Sequence, residues 1–287
     1  MNHWLKLLRP HQWVKSGFVF VGVLFSHGWH DSALVVQVLL AALAFSLAAS
    51  AVYVGNDLAD REQDRQHPDK CRRPLASGAI GVAPALLLGG GCLVAAGVLG
   101  WIASPAVLGI LLAYLLLNVG YTLGLKHVVL LDVFIISAGF MLRILAGTQG
   151  VGIHPSNWLL LCGLMVTLFL GFAKRRAELM ALDGDAASHR QVLEDYDPGL
   201  LDKLIGVCAA ATIVSYSLYT VSPETVALHG SDHLVYTVPF VVYGMFRYLF
   251  LLHRRAGGGD PAAQLLGDRH LLGACIGWLG AVVLILA

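Results

Sequence analysis

Charge is scarce in this chain. Asp, Glu, Lys and Arg make up 13% of its 287 residues, against about a quarter in an average soluble domain. With 57% hydrophobic residues and a mean hydropathy of +0.72, that scarcity excludes an ordinary soluble fold and points to a polytopic membrane protein. The net charge of +1 gives no footing for nucleic acid as a partner. Cysteine is sparse too. The five cysteines form no CxxC pair, and four of them (Cys92, Cys162, Cys208 and Cys275) sit in apolar runs as small core residues, so neither a disulfide framework nor a zinc site is implied. No Ser–His–Asp arrangement and no Gly-rich nucleotide fingerprint is present. His67 and His127 lack the spacing to a carboxylate that a metal site needs. The N-terminus, MNHWLKLLRPHQWVK, shows no signal-peptide cleavage pattern. Residues 1–15 instead read as an interfacial segment, with Trp4 and Trp13 among Lys6, Arg9 and Lys15.

Long apolar runs are abundant. At about 20 residues per crossing, the chain offers nine candidate spans, at about 16–29, 33–55, 79–102, 105–124, 128–147, 156–174, 203–221, 233–252 and 270–287. The expected fold is therefore all-α, a single nine-helix transmembrane domain over residues 1–287. With nine spans, all of the 19 Lys and Arg residues except Arg143 and Arg247 fall on one side. The positive-inside rule makes that side cytoplasmic, with the N-terminus inside and the C-terminus outside. The long loops, 56–78, 175–202 and 253–269, lie on the same side, so a polar cavity and the active site are expected there. Nothing in the sequence sets the oligomeric state.

The most informative stretch is NDLADREQDRQHPDKCRRP, Asn56 to Pro74. If the preceding helix continues through it at about 100° per residue, Asp57, Asp60 and Asp64 share one face within about 60°, and Glu62 points elsewhere. Three crowded carboxylates repel one another unless a cation joins them. Hard oxygen ligands of this kind suit Mg²⁺, which binds through a few carboxylates plus substrate phosphates. Lys70, Arg72 and Arg73 follow, the residue types that hold phosphate oxygens. Acids followed by bases at a membrane edge suit a metal-bound, phosphorylated substrate. The bland alternative is a solvated loop whose charges serve topology.

Two ionisable residues fall inside the fifth span, Asp132 and Arg143. Such residues are costly in a bilayer and face a cavity or a partner. Eleven positions apart, they are separated by about 16 Å of helical rise, so each needs a partner on another helix. The structural alternative for both is an ion pair that only orients helices; the functional one is that both line the cavity of Asp57. The sixth span ends in FLGFAKRRAEL. Lys174, Arg175 and Arg176 cover most of a turn there, so at most two face one cavity while the others snorkel to headgroups. Lys174 is the preferred phosphate ligand. The amphipathic stretch HRQVLEDYDPGLLDK, with Arg190, Tyr196 and Asp202, is placed to cap the cavity.

These features resemble the UbiA superfamily of intramembrane prenyltransferases, on the strength of NDLADREQD and the helix count. RPHQWVK, NDLADREQDRQHPDKCRRPLASG, YTLGLKHVVLLDVFIISAGFMLR, GFAKRRAEL, HRQVLEDY, RYLFLL and DRHL are similar to the pattern of the decaprenyl-phosphate phosphoribosyltransferase family within it, over essentially the whole chain. That resemblance implies a pentosyltransferase of the bacterial plasma membrane. Such an enzyme moves 5-phosphoribosyl from phosphoribosyl diphosphate to a polyprenyl phosphate, with Mg²⁺, and releases diphosphate for cell-envelope synthesis. It implies catalytic and metal roles for Asp57, Asp60 and Asp64. It also implies substrate binding by residues drawn from Lys15, Asn56, Lys70, Arg72, Arg73, Tyr121, Lys126, Asp132, Arg143, Lys174, Arg175 and Tyr196. The chain departs from the wider superfamily in one place: Asp132 is followed at i+4 by Ile136, so no second DxxxD motif is present. One acidic motif suits one metal-bound diphosphate. The alternatives are a prenyl transfer from a prenyl diphosphate to an aromatic or other acceptor, and a transporter, which short, charge-poor outer loops disfavour.

Overall fold

A computed structural model describes residues 3–66, 70–180, 191–193, 195–254, 264–265 and 267–287. Among the described residues every regular element is helical. Eight helices are long and apolar enough to cross a membrane: Ser32–Ala59, Val82–Ala103, Pro105–Leu123, Leu131–Val151, Asn157–Met180, Pro198–Val221, His233–Arg254 and Arg269–Leu286. Their starts are marked by short polar caps. The Asp31 carboxylate accepts from the Ala33 and Leu34 N–H groups, Asp197 from Leu200, and Asp268 from Leu271. In each case an acid satisfies orphan donors at the positive end of a helix.

Eight of the nine expected spans are present as helices of that kind. The stretch at 16–29 differs: it is not one apolar α-helix but a 3₁₀ run, Pro10–Phe20, followed by the short helix Val21–Phe25. β-Branched residues and two glycines weaken its α-propensity. The run lies along Ser32–Ala59. Trp13 Nε1 donates to Ser50 Oγ at 3.0 Å, the Ser16 and Ser46 hydroxyls meet at 2.9 Å, and Val19 packs with Val38, Ala41 and Ala42. A 3₁₀ helix rises about 2.0 Å per residue, against 1.5 Å for an α-helix, so fewer residues cover the same length. Gly22 and Gly147 bring backbones into direct contact. A Cβ on Gly147 would overlap the Val19 carbonyl, and one on Gly22 the Gly147 carbonyl.

The chain divides into two compact units. One comprises Met1–Val23, Gly28–Leu123 and Leu142–His154; the other comprises Leu24–His27, Gly124–Met141 and Pro155–Ala287. The first has apolar clusters around Phe45, Leu111 and Tyr114 and around Leu7, Val54 and Leu75. The second has one larger cluster around Phe169, Phe172, Tyr196, Leu201 and Tyr248. Outward-facing positions remain apolar: Leu87, Val94, Leu116 and Leu123 are 69–82% exposed. That pattern suits lipid rather than water as the solvent.

Candidate functional site

The first unit builds an acid–base cluster at the C-terminal end of Ser32–Ala59. The helix stops at Ala59, with Asp60 as its cap (φ −90°, ψ 7°), and a new short helix, Arg61–Gln66, begins. The break changes the expected register. Asp57 and Asp64 are buried, while Asp60 is half-exposed in the corner between the helices. Among the described residues no three acids, histidines or cysteines converge as a metal cage. The three acids therefore do not share one continuous helix: Asp57 and Asp64 lie on consecutive helices, with Asp60 as the cap between them. Gly55, Asn56, Asp57 and Asp60 are all poor helix formers, which is why the helix ends there.

Arginine joins the pair. Arg73 Nη1 donates to Asp57 Oδ1 at 3.1 Å and to Asp64 Oδ2 at 2.7 Å. Arg9 Nη2 donates to the same Asp57 oxygen at 2.6 Å, and its guanidinium lies 4.8 Å from the Tyr53 ring centroid. Arg9 holds a left-handed backbone (φ 52°) just ahead of Pro10, an arrangement that is uncommon for a residue with a Cβ. The remaining oxygens, Asp57 Oδ2 and Asp64 Oδ1, take no hydrogen bond among the described residues. Asn56 Oδ1 accepts from Thr122 Oγ1 at 2.8 Å. Arg61 and Arg65 donate to the Leu75 and Ala76 carbonyls and fold the basic segment back onto the acids. As expected, Glu62 points away, pairing with Arg65 on the surface. Arg72 is exposed, and Lys70, Lys15 and Tyr121 are half-exposed. His67, Pro68 and Asp69 lie outside the described residues.

Arg143 also belongs to this unit. It is buried, its Nη2 donates to the Tyr114 hydroxyl at 3.2 Å, and its guanidinium stacks 4.7 Å from the Tyr114 ring centroid. The expected partner on another helix is therefore an aromatic one.

The second unit holds Asp132, Arg175 and Tyr196. Asp132 and Arg175 are fully buried, with Arg175 Nε 2.7 Å from Asp132 Oδ2. The Tyr196 hydroxyl donates to Asp132 Oδ1 at 2.8 Å and accepts from the Leu130 N–H at 2.8 Å. Burial and the bond to Asp132 push the phenol well above its ordinary range, so it stays protonated. Arg175 Nη1 also donates to Glu178, which lies 3.8 Å from Lys174. Arg175 is therefore not a snorkelling cation but a buried one, and Arg176 pairs with Asp202 rather than with headgroups. Lys126 is half-exposed in the turn Leu125–His127. Arg190 lies outside the described residues.

Five residues escaped the sequence reading as partners: Arg9, Tyr114, Glu178 and the pair Arg247–Asp268, which is held by bonds of 3.1 and 2.7 Å. Each stands inside or beside a quoted motif except Tyr114. Nothing local in the sequence reveals which residue each one meets.

The UbiA prenyltransferase family model matches residues 16–267. The decaprenyl-phosphate phosphoribosyltransferase of Corynebacterium glutamicum is 33% identical, covering 98% of this chain and 85% of that protein. Its namesake from Mycolicibacterium smegmatis is 32% identical, covering 97% and 90%. Among solved structures, a UbiA homolog from Archaeoglobus fulgidus bound to GPP and Mg²⁺ aligns over 99% of both chains, with a TM-score of 0.75 at 17% identity. The apolar helices, the acid pair at a helix end and these similarities converge: the chain is an integral membrane protein and a member of the UbiA prenyltransferase family.

Proposed function

We propose that this protein transfers 5-phosphoribosyl from phosphoribosyl diphosphate to a polyprenyl phosphate. The observation that carries this reading is the pairing of Asp57 and Asp64 beneath Arg9 and Arg73, in a chain about one-third identical to enzymes named for that activity. The bond from the ribose anomeric carbon to the diphosphate breaks, and the diphosphate leaves with the electron pair. An oxygen of the acceptor phosphate forms the new bond to that carbon. The acceptor is already an anion, so no general base is required; it must only arrive in line.

The acids fit a divalent cation. Two buried carboxylates each keep one oxygen outside the arginine bonds, and both are hard donors of the kind Mg²⁺ takes. In this reading Asp57 and Asp64, with Asp60 at the corner, hold the ion. Bound there, Mg²⁺ supplies neutralisation of the charge that builds on the departing diphosphate. Arg73 and Arg9, with Lys70 and Arg72, bind diphosphate oxygens. Lys126, Lys174 and Arg143 are assigned to the ribose 5-phosphate or the acceptor phosphate, and Tyr121 and Asn56 to substrate binding. Lys15, beside Trp13, guides the lipid headgroup.

In this reading the site faces the cytoplasm of a bacterial plasma membrane, which the distribution of basic residues supports, and the 10–30 segment is a ninth, largely 3₁₀ pass. Arg9 touching Asp57 at one end of Ser32–Ala59 and Asp31 capping the other supports that pass. Incubating detergent-purified protein with Mg²⁺, phosphoribosyl diphosphate and a panel of polyprenyl phosphates should add one phosphoribosyl unit to the lipid by mass. EDTA should abolish the product and Mg²⁺ restore it. Turnover of a prenyl diphosphate with an aromatic acceptor, and none of phosphoribosyl diphosphate, would instead establish prenyl transfer.

A further inference from the structure

The turn Gly124–Leu130 carries Lys126 and is bounded by two unusual backbone positions. Gly124 has φ 151° and Leu130 has φ 67°. Glycine adopts the first without penalty. Leucine does not adopt the second freely: a left-handed conformation costs about 1–2 kcal/mol for a residue with a Cβ. The Leu130 side chain is 39% exposed, so its own packing does little to hold it. Its backbone, however, is bonded at both ends. Its N–H donates to the Tyr196 hydroxyl at 2.8 Å, and its carbonyl accepts from Val133 and Phe134 at 3.0 Å each.

The hydroxyl that takes the Leu130 N–H is itself fixed. It donates to Asp132, whose other oxygen meets Arg175. Arg175 reaches Glu178, and Glu178 pairs with Lys174. All six residues lie in the same compact unit. Asp132, Arg175 and Tyr196 are 0–4% exposed, too enclosed to offer a polar atom to a bulky phosphorylated substrate.

We propose that Tyr196, Asp132 and Arg175 do not touch substrate but form a positioning lock. It clamps the strained turn at Leu130 and so sets Lys126, and through Glu178 it sets Lys174. The anions those lysines hold are assigned on the reading above; the lock itself stands on the geometry of this unit. Fully buried opposite charges held this close together are costly to rearrange, which is the property a fixture for two mobile lysine side chains needs. Preorganising such groups is worth most where the ligand is small and highly charged.

The test is Tyr196→Phe, which keeps the ring and removes both bonds. Hydrogen exchange at the Leu130 amide should accelerate about tenfold or more, as for the loss of one hydrogen bond. The KM of one phosphate-bearing substrate should rise about tenfold while kcat changes less. Added to the Lys126→Met/Lys174→Met pair, Tyr196→Phe should cause no further loss, because the lock acts through those two ammonium groups. Unchanged protection at Leu130, or KM effects that simply multiply, would overturn the lock. Should Tyr196→Phe fold poorly, Leu130→Gly supplies the second arm. Glycine accepts φ 67° without help, so the Tyr196→Phe/Leu130→Gly pair should recover yield and KM; no recovery would also overturn it. The exchange measurement needs no turnover, so absence of phosphoribosyl transfer would refute the proposed activity and leave the lock to be judged separately.

Discussion

Two acid–arginine clusters use the same residue types to opposite ends. In the first unit, Asp57 and Asp64 are buried but their arginines are not: Arg9 and Arg73 are 22% and 30% exposed, and one oxygen of each acid stays outside the pairing. In the second unit, Asp132 and Arg175 are both fully buried, and each Asp132 oxygen has a partner. The first arrangement is exchangeable: an incoming cation or phosphate can take over either half of it. The second is closed, and any exchange would strand a charge away from water. Charge type therefore says little about role. The number of uncommitted oxygens and the solvent access of the cation say more.

The contrast can be broken at either end. The largest effect is expected for Asp57→Asn, which should cut turnover about 1,000-fold while the thermal midpoint in detergent moves little; a large midpoint loss with residual turnover would make the first cluster structural. Next is Asp132→Asn, which removes one of the two carboxylates that neutralise the buried Arg175 and leaves Glu178. It should cost about 2–3 kcal/mol, read as a lowered midpoint and a reduced yield of folded protein. Arg73→Lys comes third. Nη1 alone bridges both acids, so an ammonium keeps the charge but loses the further N–H donors assigned to the diphosphate, and activity should fall about tenfold with folding unchanged.

The smallest effect concerns Asp268. The Arg247 guanidinium and the Leu271 N–H hold its carboxyl well below the usual carboxylate range. Its stabilising contribution is therefore complete above its ordinary value of 3.8 and is lost as pH falls toward the depressed one. Asp268→Asn should lower the midpoint slightly at neutral pH. The difference from the parent protein should shrink only in strong acid.

Much of this was legible beforehand. Eight of the nine expected apolar spans and the acid-rich helix end follow from hydropathy and from residue types in sequence. The register past Asp60 did not, because continuing the helix ignored the weak helix formers Gly55, Asn56, Asp57 and Asp60. The segment at 10–25 is apolar enough for a span, yet its β-branched residues and close glycine contacts favour the tighter 3₁₀ winding, which hydropathy does not sense. Pairings across the sequence were the least legible. Asp132 with Arg175 and Arg247 with Asp268 each join two recognisable motifs, but only the folded chain shows which motif meets which.

The contact between Gly22 and Gly147 bears on how damage would spread through this protein. Arg9 reaches Asp57 from a strap held beside it by Leu7, Trp13 and Ser16 and, residues later, where those two backbones touch. A single added methyl group at residue 147 has no chemistry of its own and lies far along the chain from any carboxylate. It would nonetheless push the far end of the strap off its seat, so damage could reach the element that carries a guanidinium to the acids with every charged side chain still in the sequence.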